Sequence, residues 1–244
     1  MRRVTEALIL YQQTLGEKDL FLFLLSPELG RFNAVAKGAR RSKRRFVNTL
    51  EPFNLIRAHL RGGRASLPPF LDQADLLEPF EPLRLDVRRY VLAFYLAELT
   101  ECFFRPGTGQ EAFPYLREAW WFLAQKGPSP LLKMALELRF LAISGFFPEL
   151  ETCVRCERKL RPPCAFSLAD GGAVCAFCQR EEDLSLSGAA LAALRHLGRT
   201  SFQALPRVKI KEGVRLEAER ILELFLRRVL DREINALRVL KEMF

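Results

Sequence analysis

The chain has few of the groups that usually carry out catalysis at neutral pH. It contains only two histidines, His59 and His196, which are isolated in the sequence. Gly-x-Ser-x-Gly, His-Glu-x-x-His and nuclease-like clusters of carboxylates are missing. Gly38 and Lys43 do not form a phosphate-binding P-loop, because the second Gly and the Gly-Lys-Ser/Thr order are absent. These absences predict a protein that is not an enzyme and has no small-molecule substrate.

Long apolar runs are also missing, although 49% of the residues are apolar. No stretch of about 18 uncharged apolar residues predicts a membrane-spanning helix. The N-terminal residues Met1–Glu6 lead into only a short apolar run without a small-residue cleavage site, which predicts no signal peptide. We therefore expect a cytoplasmic protein without membrane contacts, in which the thiols of cysteines stay reduced.

Acidic residues are almost absent from residues 31–64. This segment holds ten Lys or Arg residues and one acid, Glu51, whereas the rest of the chain has 28 residues of each sign. The net charge of +9 is therefore concentrated in this segment. A face with this charge predicts a polyanion as partner, and nucleic acid is the first candidate.

The basic residues of this segment are candidate phosphate contacts. They are densest in residues 37–46, where Gly38 predicts a bend after a strand that places the cations in a loop. Phe32, Phe46 and Phe53 flank them and either fill the core, which we favour, or stack on bases. A solvated loop without a partner is the alternative. The candidate nucleic-acid-binding residues are Arg31, Lys37, Arg40, Arg41, Lys43, Arg44, Arg45, Arg57, Arg61 and Arg64.

Hydrophobic patterning predicts an α+β chain of two domains. Five short strands are expected within residues 1–80, at 4–11, 20–25, 31–37, 54–60 and 69–77, and this number and spacing favours a small β-barrel of the OB type. Helical periodicity follows at 85–103, 111–125, 131–144, 186–197 and 212–230. The predicted domains are therefore a barrel at 1–80 and a helical domain at 81–244. The second is expected to be all α apart from a cysteine-containing element described next.

Four of the six cysteines form two Cys-x-x-Cys pairs. Cys153 and Cys156 are followed by Cys175 and Cys178, a spacing that lets four thiolates surround one Zn²⁺. Such a site is closed, so the ion would be structural, and it would order an element at about 150–182. Unmetallated or redox-active pairs are the alternative. Cys164, between the pairs, is interpreted as a bystander, and Cys102 as a small buried apolar residue.

Several blocks of the sequence together resemble the RecO family of bacterial recombination mediators. The Lys-Gly-Ala-Arg block at 37–40 is the most specific of them, and its presence in the same chain as the four-cysteine pattern strengthens the resemblance. The matching blocks are Ala7–Leu10, Gly16–Leu20, Ser26–Arg31, Val35–Phe46, Leu50–Phe53 and Gly145–Leu150.

The resemblance implies an N-terminal OB-fold and a helical C-terminal domain with an embedded four-cysteine zinc finger. It also implies binding of single- and double-stranded DNA and ATP-independent annealing of complementary strands. The implied partners are RecR, single-strand-binding protein and, indirectly, RecA, which is loaded onto coated DNA during recombinational repair. Association with the nucleoid follows from this role. The zinc would be structural because some family members lack the cysteines.

Two other classes of function are considered from the residues alone. An RNA-binding protein of the transcription or translation machinery, with an OB barrel and a zinc ribbon, has the same composition and is the main alternative. A zinc-dependent nuclease is disfavoured, because four thiolates leave no open position on the metal and the carboxylates are missing.

Overall fold

The computed structural model describes residues 2–42, 44–62, 67–230 and 234–241. It divides into two compact units, Met1–Pro128 with Ile234–Phe244, and Ser129–Glu233. The domain boundary near residue 80 stays a prediction, since the compact units divide elsewhere. The first unit includes helices because residues of the strand region, such as Phe53, pack on helical side chains.

Five strands form the sheet of the first unit: β1 (Arg2–Leu15), β2 (Asp19–Ser26), β3 (Gly30–Ala36), β4 (Leu55–Arg61) and β5 (Phe70–Glu78). They are hydrogen-bonded in the order β1-β2-β3-β5-β4, and β4 also pairs with β1. The hydrogen-bonded pairing therefore runs through all five strands and returns to β1. All five predicted strands are present, each within a few residues of its predicted bounds.

Small and branched apolar side chains fill the space that these strands surround. Alternate residues of each strand point inward, as the period of two of a β-strand requires. Ala7 and Ile9 of β1, for example, are fully buried in this core. Val4 of the same strand is exposed, so burial begins further along β1.

Helices cover part of the sheet in the first unit. They are α1 (Pro82–Leu85), α2 (Val87–Phe103), α3 (Ala112–Lys126) and, from the C-terminal segment, the helix Asn235–Lys241. Asp86 caps α2 by accepting a hydrogen bond from the Arg89 N–H at 2.8 Å. The rings of Tyr11 and Phe94 pack edge to face at 5.9 Å, which joins β1 to α2.

The second unit combines helices with a small sheet. Its helices are α4 (Pro130–Ile143), α5 (Gly188–Arg199) and α6 (Glu212–Val229); the helix at 235–241 is α7 in chain order. The strands β6 (Cys164–Ser167), β7 (Gly172–Cys175) and β8 (Leu184–Leu186) form an antiparallel sheet in the order β7-β6-β8. The predicted helices are confirmed, whereas the prediction of an otherwise all-α domain is wrong at β8. This strand lies outside residues 150–182 and pairs with β6.

Candidate nucleic-acid interface and metal centre

The loop that carries most of the excess charge, residues 37–46, is attached to the sheet at its beginning. We call it the basic loop. Gly38 has a φ of 66°, a left-handed conformation that favours glycine, and it turns the chain out of β3. Its N–H donates to the Asp19 carboxylate at 2.8 Å, and the Arg40 N–H donates to the Lys18 carbonyl at 3.1 Å. The loop therefore begins in a fixed position beside the β1–β2 hairpin.

Two apolar side chains anchor the basic loop in the core. Ala39 and Phe46 are buried with the inward residues of the strands, and a 3-10 turn runs from Ala39 to Arg41. Phe53 is fully buried and Phe32 is half-buried against the same core. The prediction that Phe46 and Phe53 are core residues is confirmed, so neither ring is free to stack on a base.

The cations of the basic loop differ in how strongly other residues hold their side chains. Arg45 donates to the Lys37 carbonyl at 2.8 Å and lies 5.0 Å from the Phe46 ring centroid. The Lys37 ammonium lies 4.6 Å from the Phe70 centroid, and Arg40 donates to a backbone carbonyl.

Arg41 and Arg44 differ from these three cations. Both are exposed, and the side chain of neither makes an ion pair or hydrogen bond with another described residue. Their guanidinium groups are therefore available to an anion from solution.

The outer face of β4 is less positive than its sequence indicates. Arg57, His59 and Arg61 point outward from this strand, and folding places acids of β5 beside them. Arg61 donates to both carboxylate oxygens of Asp72, at 2.8 and 3.1 Å. His59 lies 2.9 Å from Asp75, which also pairs with Arg57 in the strand register.

The hydrogen bond from His59, followed by that from Gln73, lowers the pKa of Asp75, so this carboxylate stays charged. On its other side, Arg57 faces Glu6 of β1. The near absence of acids from residues 31–64 therefore does not extend to the folded face of β4.

Arg31 is engaged within the protein. Its Nε donates to the Phe104 carbonyl at 2.8 Å, while its backbone exchanges hydrogen bonds with Gly107 and Thr108. A side chain on the preceding Gly30 would place a Cβ 2.3 Å from the Thr108 carbonyl oxygen, so this close approach requires glycine. The interactions fix β3 to the segment that follows α2.

The four paired cysteines come together in the second unit. The Sγ atoms of Cys153, Cys156, Cys175 and Cys178 all lie within 4.8 Å of one another. Cys156 and Cys175 are separated by 3.8 Å. A tetrahedral metal with bonds of about 2.3 Å to sulfur holds its ligands about 3.8 Å apart. The residues therefore fit a four-thiolate metal site.

Backbone turns position the two cysteine pairs. The Cys153 N–H donates to the Arg158 carbonyl at 2.8 Å, and the Cys178 N–H donates to the Cys175 carbonyl at 3.0 Å. The Cys175 N–H also lies 3.4 Å from the Cys153 sulfur, joining the pairs directly. Each pair thus forms a tight knuckle, as its spacing predicts.

Arg155, between the first two cysteines, connects the knuckles. Its guanidinium donates to both oxygens of Asp183, at 2.6 and 2.9 Å, and to Asp170 at 2.8 Å. It also donates to the Cys178 carbonyl at 2.6 Å. The Asp183 side chain is 1% exposed, so this charge depends on Arg155 for compensation.

The thiols differ in acidity. Burial raises the pKa of Cys153, but N–H donors led by that of Cys175 outweigh burial and lower the pKa to about 6. The side chains of Cys156 and then Cys175 raise the pKa of Cys178 to about 12. The thiolate is therefore favoured at Cys153 and disfavoured at Cys178, and a bound cation supplies the positive charge that four thiolates require.

The remaining cysteines lie outside this cluster. Cys164 is buried, and its thiol donates to the Arg161 carbonyl at 3.3 Å. Cys102 is half-buried in α2, so the prediction of a buried residue is correct only in part.

Two family models match the chain: "Recombination protein O N terminal" over residues 1–80 and "Recombination protein O C terminal" over residues 84–238. The chain belongs to the RecO family. A "DNA repair protein RecO" of Anaeromyxobacter sp. (strain K) is 34% identical over 93% of this chain and 91% of its own length. Proteins of the same name from Myxococcus xanthus and Syntrophus aciditrophicus are 33% and 28% identical, over 95% and 98% of this chain and 93% and 95% of their own lengths.

The fold brings together some of the residues that sequence reasoning selected in this RecO-family chain. Lys37, Arg40, Arg41, Arg44 and Arg45 lie in the basic loop, whereas Arg57 and Arg61 lie on β4. Lys43 and Arg64 lie outside the described residues.

Sequence reasoning missed three arginines of interest. Arg2 and Arg3 are exposed on β1, where they pair with Arg61 and Leu60, and only the strand register reveals them. Arg155 was missed as well, and its position inside Cys-x-Arg-Cys was the available signal.

The cysteine cluster is the one group of possible metal ligands found in the part of the chain that the structure describes. No described helix is both long and apolar enough to span a membrane.

Proposed function

We propose that this chain is a non-catalytic DNA-binding protein of recombinational repair, which binds single- and double-stranded DNA and anneals complementary strands without ATP. The observation that carries the proposal is the basic loop. Ala39 and Phe46 anchor this loop in the core, and the guanidinium groups between them are exposed. Membership of the RecO family supports the same role.

The basic loop would act by neutralising phosphates. Two complementary strands repel one another, and cations that contact both reduce this repulsion until bases pair. Phosphate contacts carry no base information, so sequence specificity should be low. Lys37, Arg40, Arg41, Lys43, Arg44 and Arg45 are the proposed central contacts, with Arg64 at the flank. Arg57 and Arg61 face acids of β5, so we expect them to contribute little. Arg31 contributes indirectly, because its hydrogen bonds fix β3 to the segment that follows α2.

We further propose that the five-stranded sheet is an OB-type barrel. The order β1-β2-β3-β5-β4, with β4 returning to β1, supports a closed barrel of this kind. OB barrels bind nucleic acid strands on one face and through their loops.

The four cysteines would hold one structural Zn²⁺. The sulfur positions fit tetrahedral coordination, and four thiolates leave no position for a reacting water. When bound, the ion supplies a cross-link between the two knuckles. Arg155 and the hydrogen bonds of the turns orient the ligands, which would order the element at about 150–182.

The proposed partners follow from the family. RecR and single-strand-binding protein would bind this chain directly, and RecA would be loaded onto the DNA as a consequence. These contacts would place the protein in the cytoplasm, at the nucleoid. An immobilised chain that retains neither purified RecR nor single-strand-binding protein at physiological salt would contradict this part of the proposal.

DNA binding is tested by charge reversal in the basic loop. Replacing Arg40, Arg41 and Lys43 by Glu should weaken binding of a labelled single strand and lower the salt slope by about 2, since each phosphate contact contributes about 0.7. Reversal of Arg207, Lys209 and Lys211, exposed cations of the second unit, is the matched control.

Fluorescence anisotropy from 50 to 200 mM salt gives both quantities. Equal salt slopes for the loop variant and the wild type would contradict the proposed interface. A matched RNA strand in the same titration tests the RNA-binding alternative, which predicts that RNA competes more strongly than DNA.

A further inference from the structure

Phe177, at the tip of the second knuckle, is exposed to an extent unusual for an aromatic ring. Its exposure is 92%, the highest among the large hydrophobic side chains of the described residues. It lies between Cys175 and Cys178, and its neighbours Ala176 and Gln179 are exposed as well. A single exposed apolar residue is common on protein surfaces, so a role for Phe177 also depends on how its backbone is held and which charges surround it.

The backbone on both sides of Phe177 is fixed. Cys175 ends β7, which pairs with β6, and the Cys178 N–H closes a turn onto the Cys175 carbonyl. The Cys178 carbonyl accepts a hydrogen bond from Arg155 at 2.6 Å. Because the backbone is already held, binding at this position costs little backbone conformational entropy, which favours a ligand-binding role.

Exposed cations accompany the ring in the same element. Arg158 and Lys159 follow the first knuckle, whose sulfurs lie within 4.8 Å of those of the second. Together with Arg161 they are exposed, and none of the three forms an ion pair with another described residue.

Several acids of the element are already engaged. Asp170 and Asp183 bind Arg155. Glu149 accepts two backbone N–H groups, and Glu151 pairs with Arg199. Glu157 and Glu181 are also exposed in this element.

We propose that Phe177 is a stacking site for an unpaired nucleobase of single-stranded DNA, with Arg158, Lys159 and Arg161 contacting the adjoining phosphates. Aromatic rings beside cations are the usual elements of single-strand binding, and stacking accepts any base. The inference rests on the proposed DNA-binding function and deepens it. Phosphate contacts in the basic loop serve single strands and duplexes alike, whereas Phe177 reads only unpaired bases.

The test compares Phe177→Ala with Phe177→Trp on three probes: an oligothymidine of 20 nucleotides, an abasic oligomer of equal length, and a duplex. Phe177→Ala should weaken oligothymidine binding about tenfold, which corresponds to about 1.4 kcal/mol. Its affinity for the abasic oligomer and the duplex should not change. Phe177→Trp should retain wild-type affinity, because the indole ring stacks as well.

Two further variants separate stacking from other effects. Phe177→Leu keeps much of the apolar area but loses the ring, so it should behave like the alanine variant. Phe147→Ala removes another exposed ring of the second unit, which is 41% exposed, and should leave all three affinities unchanged. Equal metal content in every variant shows that the knuckle is intact.

The outcomes are distinct. Unchanged oligothymidine affinity in Phe177→Ala, or an equal loss on all three probes, would overturn the stacking site while leaving the basic loop in place. Loss of RecR binding with unchanged DNA affinity would identify Phe177 as a protein contact and overturn the inference. A wild-type chain that binds none of the probes would overturn the proposed function itself.

Discussion

Replacing Arg41 and Arg44 together by Gln should weaken DNA binding, whereas the double change Arg61→Gln with Asp72→Asn should not. All three arginines are exposed, but only Arg61 has a carboxylate partner, at 2.8 Å. Arg41 and Arg44 have no counter-ion among the described residues. A phosphate can therefore approach them without displacing a protein acid.

The expected magnitude follows from counterion release. Each contact with a single strand contributes about 0.7 to the slope of log affinity against log salt, so the loss of two contacts lowers it by about 1.4. Between 50 and 200 mM salt, the difference in affinity between wild type and variant should then shrink about sevenfold. Removal of Arg61 with Asp72 leaves the net charge unchanged and should leave the slope unchanged.

Anisotropy titrations of a fluorescent oligothymidine over this salt range give the slopes. Lys209→Gln with Lys211→Gln is the control for net charge, because it removes two exposed cations of the second unit. A slope that falls equally in this control and in the Arg41 and Arg44 variant would refute the assignment to the basic loop. Bulk charge would then explain the effect.

Four further predictions concern the metal centre and the fold. Cys153→Ala should lower zinc from one ion per chain to almost none and destabilise the second unit; full occupancy by elemental analysis would exclude Cys153 as a ligand. Arg155→Ala should cost about 3–5 kcal/mol and speed zinc loss to a chelator, because Asp183 keeps a buried, uncompensated charge; unchanged release rates would contradict this. Phe53→Ala should cost about 3–5 kcal/mol in urea unfolding, since this fully buried ring packs 5.2 Å from both Tyr90 and Trp120. The hydrogen bond from Thr5 lowers the pKa of Glu28 below its ordinary 4.5; the stabilisation by this carboxylate is therefore fully present above pH 4.5 and is lost as the pH falls through the lowered pKa, so Glu28→Gln should destabilise the protein at pH 7 and progressively less in acid.

Local patterns in the sequence were sufficient for the elements and the cysteine cluster. Strands with alternating apolar residues and helices with a period near 3.6 are properties of short segments. The spacing of Cys153, Cys156, Cys175 and Cys178 likewise predicts that the four thiols converge. Each pair lies in one short turn, so only two turns have to come together. Phe46 and Phe53 were assigned to the core from their hydrophobicity, and the structure confirms this.

The features that could not be predicted from the sequence depend on contacts between residues far apart in the chain. The register of β4 with β5 brings Asp72 and Asp75 beside Arg61 and His59, so charge counted along residues 31–64 overstated the positive face. Arg31 likewise meets Phe104 only after folding. Such contacts depend on which strands become neighbours, and no local period encodes that.

The central claim, that the basic loop promotes annealing of DNA, is tested most directly by a strand-annealing assay. Two complementary labelled oligonucleotides are mixed without nucleotide, and energy transfer between the dyes reports duplex formation. We expect the wild-type chain to accelerate annealing, rising salt to reduce the acceleration, and reversal of Arg40, Arg41 and Lys43 to abolish it. Acceleration that survives charge reversal, or no acceleration by the wild type at low salt, would contradict the account.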